Sequence, residues 1–387
     1  MGKYAVPSRS RQSWPRAAAL VVLALVAPAC AARTEADPAS GSRTPSSGMV
    51  SDPSRRGPLP VGYAELGITD PFRVRRLPLS VWYPAAGASA AARYAILPGL
   101  AVPAIAVGDR PAVAPGRHPV VIFSHGSGAS RLTSWWLTET LASHGFVVIA
   151  PDHVGNTFAD VGDVEAFVRT ARERPRDVRF LIDQVIEAER GGPNSTGPEL
   201  GQLLAGHLDT DRIGVAGHSY GGYTALAAAG GTAFGDPPDP RVKAIAALEP
   251  LSDPLSDENL AGIHVPALLM GGTLDSTTPI EPMVARPYDL IRSEVLVRAD
   301  IQGAGHESFT ILCATDHLLA DPSVPDPVRR DAHRYFGGTC APEMMSPAEV
   351  EPLIDRYVVS FFRVELAGDP GYGRWLSTTP HVSFSTR

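Results

Sequence analysis

Arg212-Ile213-Gly214-Val215-Ala216-Gly217-His218-Ser219-Tyr220-Gly221-Gly222 is the stretch whose reading decides the fold. Residues 212–216 read as a strand whose apolar run, 213–216, is bounded by glycine and fits burial on both faces. Residues 220–229 read as a helix that begins at once. Ser219 therefore sits on a very tight strand-to-helix turn, where only small neighbours fit on either side and the serine backbone is strained. The helix behind it aims its N-terminus at the serine, where partial positive charge favours an oxyanion. Such a serine is a candidate nucleophile.

Outward from this turn, strands and helices alternate. Apolar runs at 119–124, 146–150, 213–216, 244–248 and 267–270 predict further buried strands. Helical stretches fall at 133–143, 175–189 and 220–229, and 350–362 reads as a closing amphipathic helix. Strand–helix alternation implies right-handed βαβ units and an open, mostly parallel sheet with helices on both faces. With the serine turn, that is the α/β-hydrolase fold. The Ala/Pro/Gly-rich residues 84–117 read as a long surface connection.

A serine hydroxyl needs a base, and the base needs an orienting acid. In this fold the acid and then the histidine follow the serine. Of His264, His306, His317, His333 and His381, His306 stands out. It lies in Gly303-Ala304-Gly305-His306, just after a strand-like run at 294–301, and a glycine-rich loop can carry an imidazole over the nucleophile. Two acids compete. Asp275 follows an apolar strand in Met270-Gly271-Gly272-Thr273-Leu274-Asp275, and Glu249 ends the preceding one in Ala247-Leu248-Glu249-Pro250. Asp275 is the preferred acid, because a Gly-rich turn delivers a short carboxylate to the rim of a parallel sheet. Glu249 is its alternative.

The oxyanion donors expected are the backbone N–H of Tyr220 and that of Ser127, in the loop Ser124-His125-Gly126-Ser127-Gly128. His125 reads as a support of that loop. Trp135, Trp136 and Phe309 either line an acyl pocket or belong to the core; the sequence leaves both readings open. No His/Asp/Glu cluster has metal-ligand spacing, and Asp152-His153 alone is weak, so no metal is expected.

The ends of the chain carry other signals. Lys3, Arg9, Arg11 and Arg16 precede an apolar stretch at 17–29 that ends in Ala27-Pro28-Ala29-Cys30. This is the pattern of a signal peptide over residues 1–30. Cys30 sits where a bacterial lipoprotein carries its lipid, so the mature chain is expected to be secreted or periplasmic, or anchored to a membrane through Cys30. Residues 31–58 read as a flexible tether, and 59–387 as one catalytic domain. Cys313 and Cys340 are the remaining cysteines of three, and an oxidising compartment pairs them as a disulfide. The 387 residues carry a formal net charge of −7 with no basic run after the N-terminus, so nucleic acid is not expected as a partner.

At Phe123-Ser124-His125-Gly126, Leu141-Ala142-Ser143-His144-Gly145-Phe146, Arg174-Pro175-Arg176-Asp177-Val178 and Gly217-His218-Ser219-Tyr220-Gly221-Gly222, the chain resembles dienelactone-hydrolase-like proteins. That group is related to secreted platelet-activating-factor acetylhydrolases and to cutinase-like polyester hydrolases. The resemblance runs from about residue 60 to 362. It implies cofactor-free cleavage of carboxylic esters, with Ser219 as nucleophile, His306 as base, and Ser127 and Tyr220 as oxyanion donors. The sequence departs from the group in places. True dienelactone hydrolases use a cysteine where Ser219 stands, and polyester hydrolases place a tryptophan where Pro250 and Leu251 follow Glu249. Acetylhydrolases place their acid at Glu249, polyester hydrolases at Asp275. The function expected is hydrolysis of small-molecule or lipid esters, chiefly short-chain acyl esters and acetylated lipids. A polyester or cutin hydrolase is the alternative, with a serine peptidase and a non-catalytic ligand-binding lipoprotein behind it.

Overall fold

The computed structural model describes residues 50–87, 90–97, 100–191, 197–314, 326 and 340–387. The expected signal segment 1–30 with Cys30, residues 31–49 of the expected tether, His317 and His333 lie outside them. Among the described residues, eleven strands form one sheet in the order β11-β10-β9-β8-β7-β5-β6-β2-β1-β4-β3, with β11 spanning Val382–Thr386. Its centre is the parallel block predicted from the apolar runs: β5 (His118–Ser124), β6 (Val147–Pro151), β7 (Leu208–His218), β8 (Val242–Leu248), β9 (Ala267–Gly272) and β10 (Leu296–Ile301). Every residue of β5, β6 and β9 is buried.

Successive side chains of these strands enter opposite layers, as the two-residue period requires. Val121, Phe123, Val148 and Ala216 join one apolar core with Trp136, Leu137, Tyr357, Phe361 and Phe362. Those partners lie on α1 (Trp135–Ser143) and on the C-terminal helix Pro347–Glu365. Val120, Ile122, Val147 and Val215 join a second core with Val178, Leu181, Tyr223 and Leu226. These come from α2 (Val164–Arg190) and, after α3 (Pro198–Leu204), from α4 (Tyr220–Gly230). This is the α/β-hydrolase fold.

Three expectations need correction. The supposed surface connection at 84–117 contains β3 (Ala91–Leu97) and β4 (Leu100–Asp109), which extend the sheet beyond the hairpin of β1 (Val61–Asp70) and β2 (Arg75–Pro84). Proline suggested a loop, but the β3–β4 ladder at the sheet margin carries two register irregularities, where proline is tolerated. The folded body also begins before Leu59. Pro53 is buried, Ser51 Oγ lies 2.8 Å from Tyr372 Oη, and the Gly57 N–H donates to Ser143 Oγ at 2.7 Å. Finally, α2 starts eleven residues before Pro175, the expected first residue. Proline removes the N–H that would bond the Ala171 carbonyl. The Tyr223 hydroxyl takes that place at 2.7 Å, and the Asp163 side chain caps the helix by accepting from the Ala166 N–H.

Candidate active site

β7 delivers Ser219 to the N-cap of α4 with φ 57° and ψ −116°, a strained conformation for a residue with a Cβ. Hydrogen bonds on both sides hold it. The Ser219 N–H donates to the Leu248 carbonyl at 2.8 Å, and its own carbonyl accepts from Tyr223 and Leu251, each at 3.1 Å. The flanking glycines are steric requirements. A Cβ on Gly217 would stand 2.4 Å from the Gly221 carbonyl oxygen, and one on Gly221 only 1.8 Å from that of Ser124.

His306 opens a short 3-10 turn after β10, beyond Gly303 at φ 80°. Its Nδ1 lies 2.7 Å from Asp275 Oδ2. Its carbonyl is 3.0 Å from Nε2 of His218, the residue before Ser219, and the two imidazoles are 4.6 Å apart. His306 is thereby fixed beside the serine turn. Burial, reinforced by the adjacent His306 imidazole, pushes His218 well below the ordinary histidine range, so it is neutral and donates from Nε2.

Asp275 sits in the turn after β9. Its Oδ1 accepts the N–H groups of Thr277 and Thr278 at 2.6 and 2.8 Å, and its Oδ2 accepts the Thr278 hydroxyl at 2.7 Å. Burial opposes ionisation, but these bonds and the one from His306 outweigh it and hold the carboxyl below its ordinary value. Glu249 follows β8 with φ 47° and is fully buried. Its Oε2 is 3.6 Å from His306 Nδ1, beyond hydrogen-bond reach, and among the described residues neither carboxyl oxygen has a hydrogen-bond partner. The structure thus brings His306 and Asp275 into contact beside the turn that carries Ser219 and leaves Glu249 as an unbonded neighbour. The ligand atoms of Glu249, Asp275 and His306 lie within 4.8 Å of one another, yet the Asp275–His306 contact has hydrogen-bond geometry.

Thr278 escaped sequence reasoning. Its hydroxyl lies 3.0 Å from the Glu249 carbonyl and 3.1 Å from His306 Nδ1 besides bonding Asp275, so one side chain ties both acid-bearing turns together. Only its place three residues after Asp275, where an Asx-type turn bonds back to the carboxylate, could have signalled it.

Ser127 and Tyr220 stand on the two sides of the serine. Tyr220 is the first residue of α4, and Ser127 lies past the end of β5 with its residue exposed. Among the described residues, neither backbone N–H donates to a protein acceptor. A Cβ on Gly126 would be 3.5 Å from Ser219 Cβ, which places this loop against the serine. His125 points inward: Nδ1 lies 2.7 Å from the Gly126 carbonyl and Nε2 accepts the His153 N–H at 3.0 Å. Trp136 and Phe309 belong to the core, and Trp135 packs against it. Cys313 and Cys340 are bonded, 27 residues apart in sequence, seven residues downstream of His306.

A mostly parallel sheet with a serine on the strand-to-helix turn and a histidine–aspartate pair beside it defines a serine-bearing α/β-hydrolase. The chain belongs to the PET hydrolase-like family, whose pattern matches residues 109–324, more than half of its length. It is similar to the platelet-activating factor acetylhydrolase of Cavia porcellus, 24% identical over 50% of this chain and 48% of that protein. It is also similar to cutinase 2 of Thermobifida cellulosilytica, 29% identical over 48% of this chain and 59% of that one. The chain therefore spans about half the length of the curated relatives it matches. Among solved structures, a ferulic acid esterase from Streptomyces cinnamoneus superposes with a TM-score of 0.61 at 25% identity, covering 86% of this chain and 97% of the other.

Proposed function

We propose that this chain is an exported serine hydrolase of carboxylic esters that works through an acyl-enzyme. The observation that carries the reading is the 2.7 Å bond between His306 Nδ1 and Asp275 Oδ2 beside the strained Ser219. With Nδ1–H directed at the carboxylate, the Nε2 lone pair is free to act as base. Ser219 Oγ attacks the ester carbonyl while His306 takes its proton. The tetrahedral oxyanion accepts the N–H groups of Tyr220 and Ser127, and His306 then returns the proton to the leaving alcohol. Water repeats the sequence on the acyl-enzyme, releasing the acid and restoring Ser219. The ionised Asp275 stabilises the imidazolium formed in each half.

Short-chain acyl esters, including acetylated lipids, are the preferred substrates. The acetylhydrolase likeness and a site assembled from short turns support this. A polyester or cutin hydrolase is the second reading, favoured because His306 bonds Asp275, the acid position that the resemblance assigns to polyester hydrolases, and not Glu249. Export rests on the signal-like residues 1–30 and on the Cys313–Cys340 bond, which suits an oxidising compartment. Lipid attachment at Cys30 remains part of the proposal. Turnover of p-nitrophenyl acetate by wild type and Ser219→Ala tests the whole reading. Losing the nucleophile costs about 10⁴-fold or more, and a variant that keeps over about a tenth of the activity refutes it.

A further inference from the structure

Arg174, quoted above only as part of a resemblance, is the largest charged side chain buried without exposure among the described residues, and no step of the proposed reaction uses it. Burying a guanidinium is costly unless every donor is matched. All five N–H groups are. Nε and one terminal nitrogen donate to Asn156 Oδ1 at 2.9 and 2.7 Å, and that nitrogen also donates to the Gly126 carbonyl at 3.0 Å. The other terminal nitrogen donates to the His125 carbonyl at 2.6 Å and Ser124 Oγ at 3.2 Å. The guanidinium also lies 4.7 Å from the centre of the Tyr220 ring.

We propose that Arg174 is a positioning residue that aims the Ser127 N–H into the oxyanion site. This rests on the ester-hydrolase reading above. The Gly126 carbonyl and the Ser127 N–H belong to one planar trans peptide, so they point in opposite directions. Arg174 and His125 Nδ1 grip the carbonyl from the interior at 3.0 and 2.7 Å, which turns the N–H away from them. That N–H meets no protein acceptor among the described residues, and Gly126 itself abuts Ser219.

A second tether works through Asn156. With its Oδ1 held by Arg174, its Nδ2 faces Ser127 Oγ and donates to it at 2.9 Å. Contact with the Tyr220 ring sets the same cation under the other oxyanion donor. Burial and the Arg174 charge keep His125 neutral, and with Nε2 accepting from the His153 N–H its one ring proton stays on Nδ1 and is donated to the Gly126 carbonyl. A lysine could not substitute, since a point ammonium cannot serve Asn156 and two backbone carbonyls in one plane.

The test compares kcat, KM and the affinity for an acetyl trifluoromethyl ketone, which forms an oxyanion on the serine, in the full chain. Removing an oxyanion donor costs ~10²–10³-fold in kcat, so misaiming one through Arg174→Lys should cost about 10- to 100-fold. KM should stay within about threefold, and ketone affinity should fall in step with kcat. A merely structural Arg174 would instead lower the active fraction and leave kcat per titrated serine and ketone affinity unchanged, which overturns the proposal. If Arg174→Lys does not fold, Asn156→Ala and Ser127→Ala decide. Both break one tether while keeping the Ser127 N–H, so the double variant should lose no more kcat than the worse single one; independent, multiplying losses overturn the proposal. Wild type without ester turnover removes the underlying reading and this one with it. Active wild type with unaltered kcat in the folded variants removes only this one.

Discussion

Replacing Asp275 by asparagine should disable the site through the wrong histidine tautomer rather than through a lost contact. Asp275 Oδ1 is held by two backbone N–H groups, at 2.6 and 2.8 Å, which only an oxygen can accept. In Asp275→Asn the amide oxygen must therefore take that place, and the amide NH₂ falls where Oδ2 met His306 Nδ1 at 2.7 Å. A donor facing Nδ1 forces the ring proton onto Nε2, so the base presents N–H to Ser219. A neutral acid of this kind costs ~10⁴-fold in kcat, about 5 kcal/mol of transition-state stabilisation. Glu249→Gln changes an unbonded carboxyl 3.6 Å from Nδ1, and its kcat should stay within about tenfold of wild type. Continuous release of p-nitrophenolate at pH 7.5 to 8.5, corrected for active sites, measures both variants. A large loss in Glu249→Gln with Asp275→Asn near wild type refutes the assignment.

The Cys313–Cys340 bond closes a loop of 27 residues, worth about 3–4 kcal/mol in the chain-entropy model. Cys313→Ala/Cys340→Ala should lower the unfolding free energy in urea by that amount, and alkylation of both cysteines in unreduced protein would contradict it. His153 is held at about 4 by burial and the Arg174 charge, against the pull of Asp177. Its folded value lies below the unfolded one, so the associated stability is complete above about pH 6.5 and is lost as pH falls toward 4, up to about 3 kcal/mol. Urea midpoints should fall more steeply over that window in wild type than in His153→Gln; equal slopes would be contrary. Gly221→Ala drives a Cβ to 1.8 Å from a backbone oxygen, whereas a Cβ on Gly373 meets nothing within 4 Å. The first should cost about 3 kcal/mol or more and the second under about 1, read by thermal denaturation.

What the sequence made legible was local. Strands β5, β6 and β9 are buried at every position because helices cover both faces, so they stand out as continuous apolar runs. Ser219 and His306 were legible because glycines are forced at a tight turn and in a swinging loop. Asp275 and Glu249 could only be ranked, since choosing between them is a matter of 2.7 against 3.6 Å to one nitrogen. Features fixed by distant partners were hidden. The first half of α2 persists past Pro175 because Tyr223, 52 residues away, takes the orphan carbonyl. Residues 51–57 are ordered by Ser143 and Tyr372, which no composition reveals. Arg174 appears in the sequence only within a family-like stretch, where nothing shows that Asn156 and the Gly126 carbonyl surround it.

The central claim is that Ser219 forms a covalent acyl intermediate, and labelling with diethyl p-nitrophenyl phosphate tests it most directly. The reagent phosphorylates an activated serine, releases one p-nitrophenolate and leaves an adduct that peptide mass spectrometry can place. The account predicts one adduct per chain, on Ser219 in Gly217-His218-Ser219-Tyr220-Gly221, formed in step with the loss of esterase activity and absent from Ser219→Ala. Full inactivation with the adduct on another residue, or ester turnover by a fully labelled chain, would contradict it.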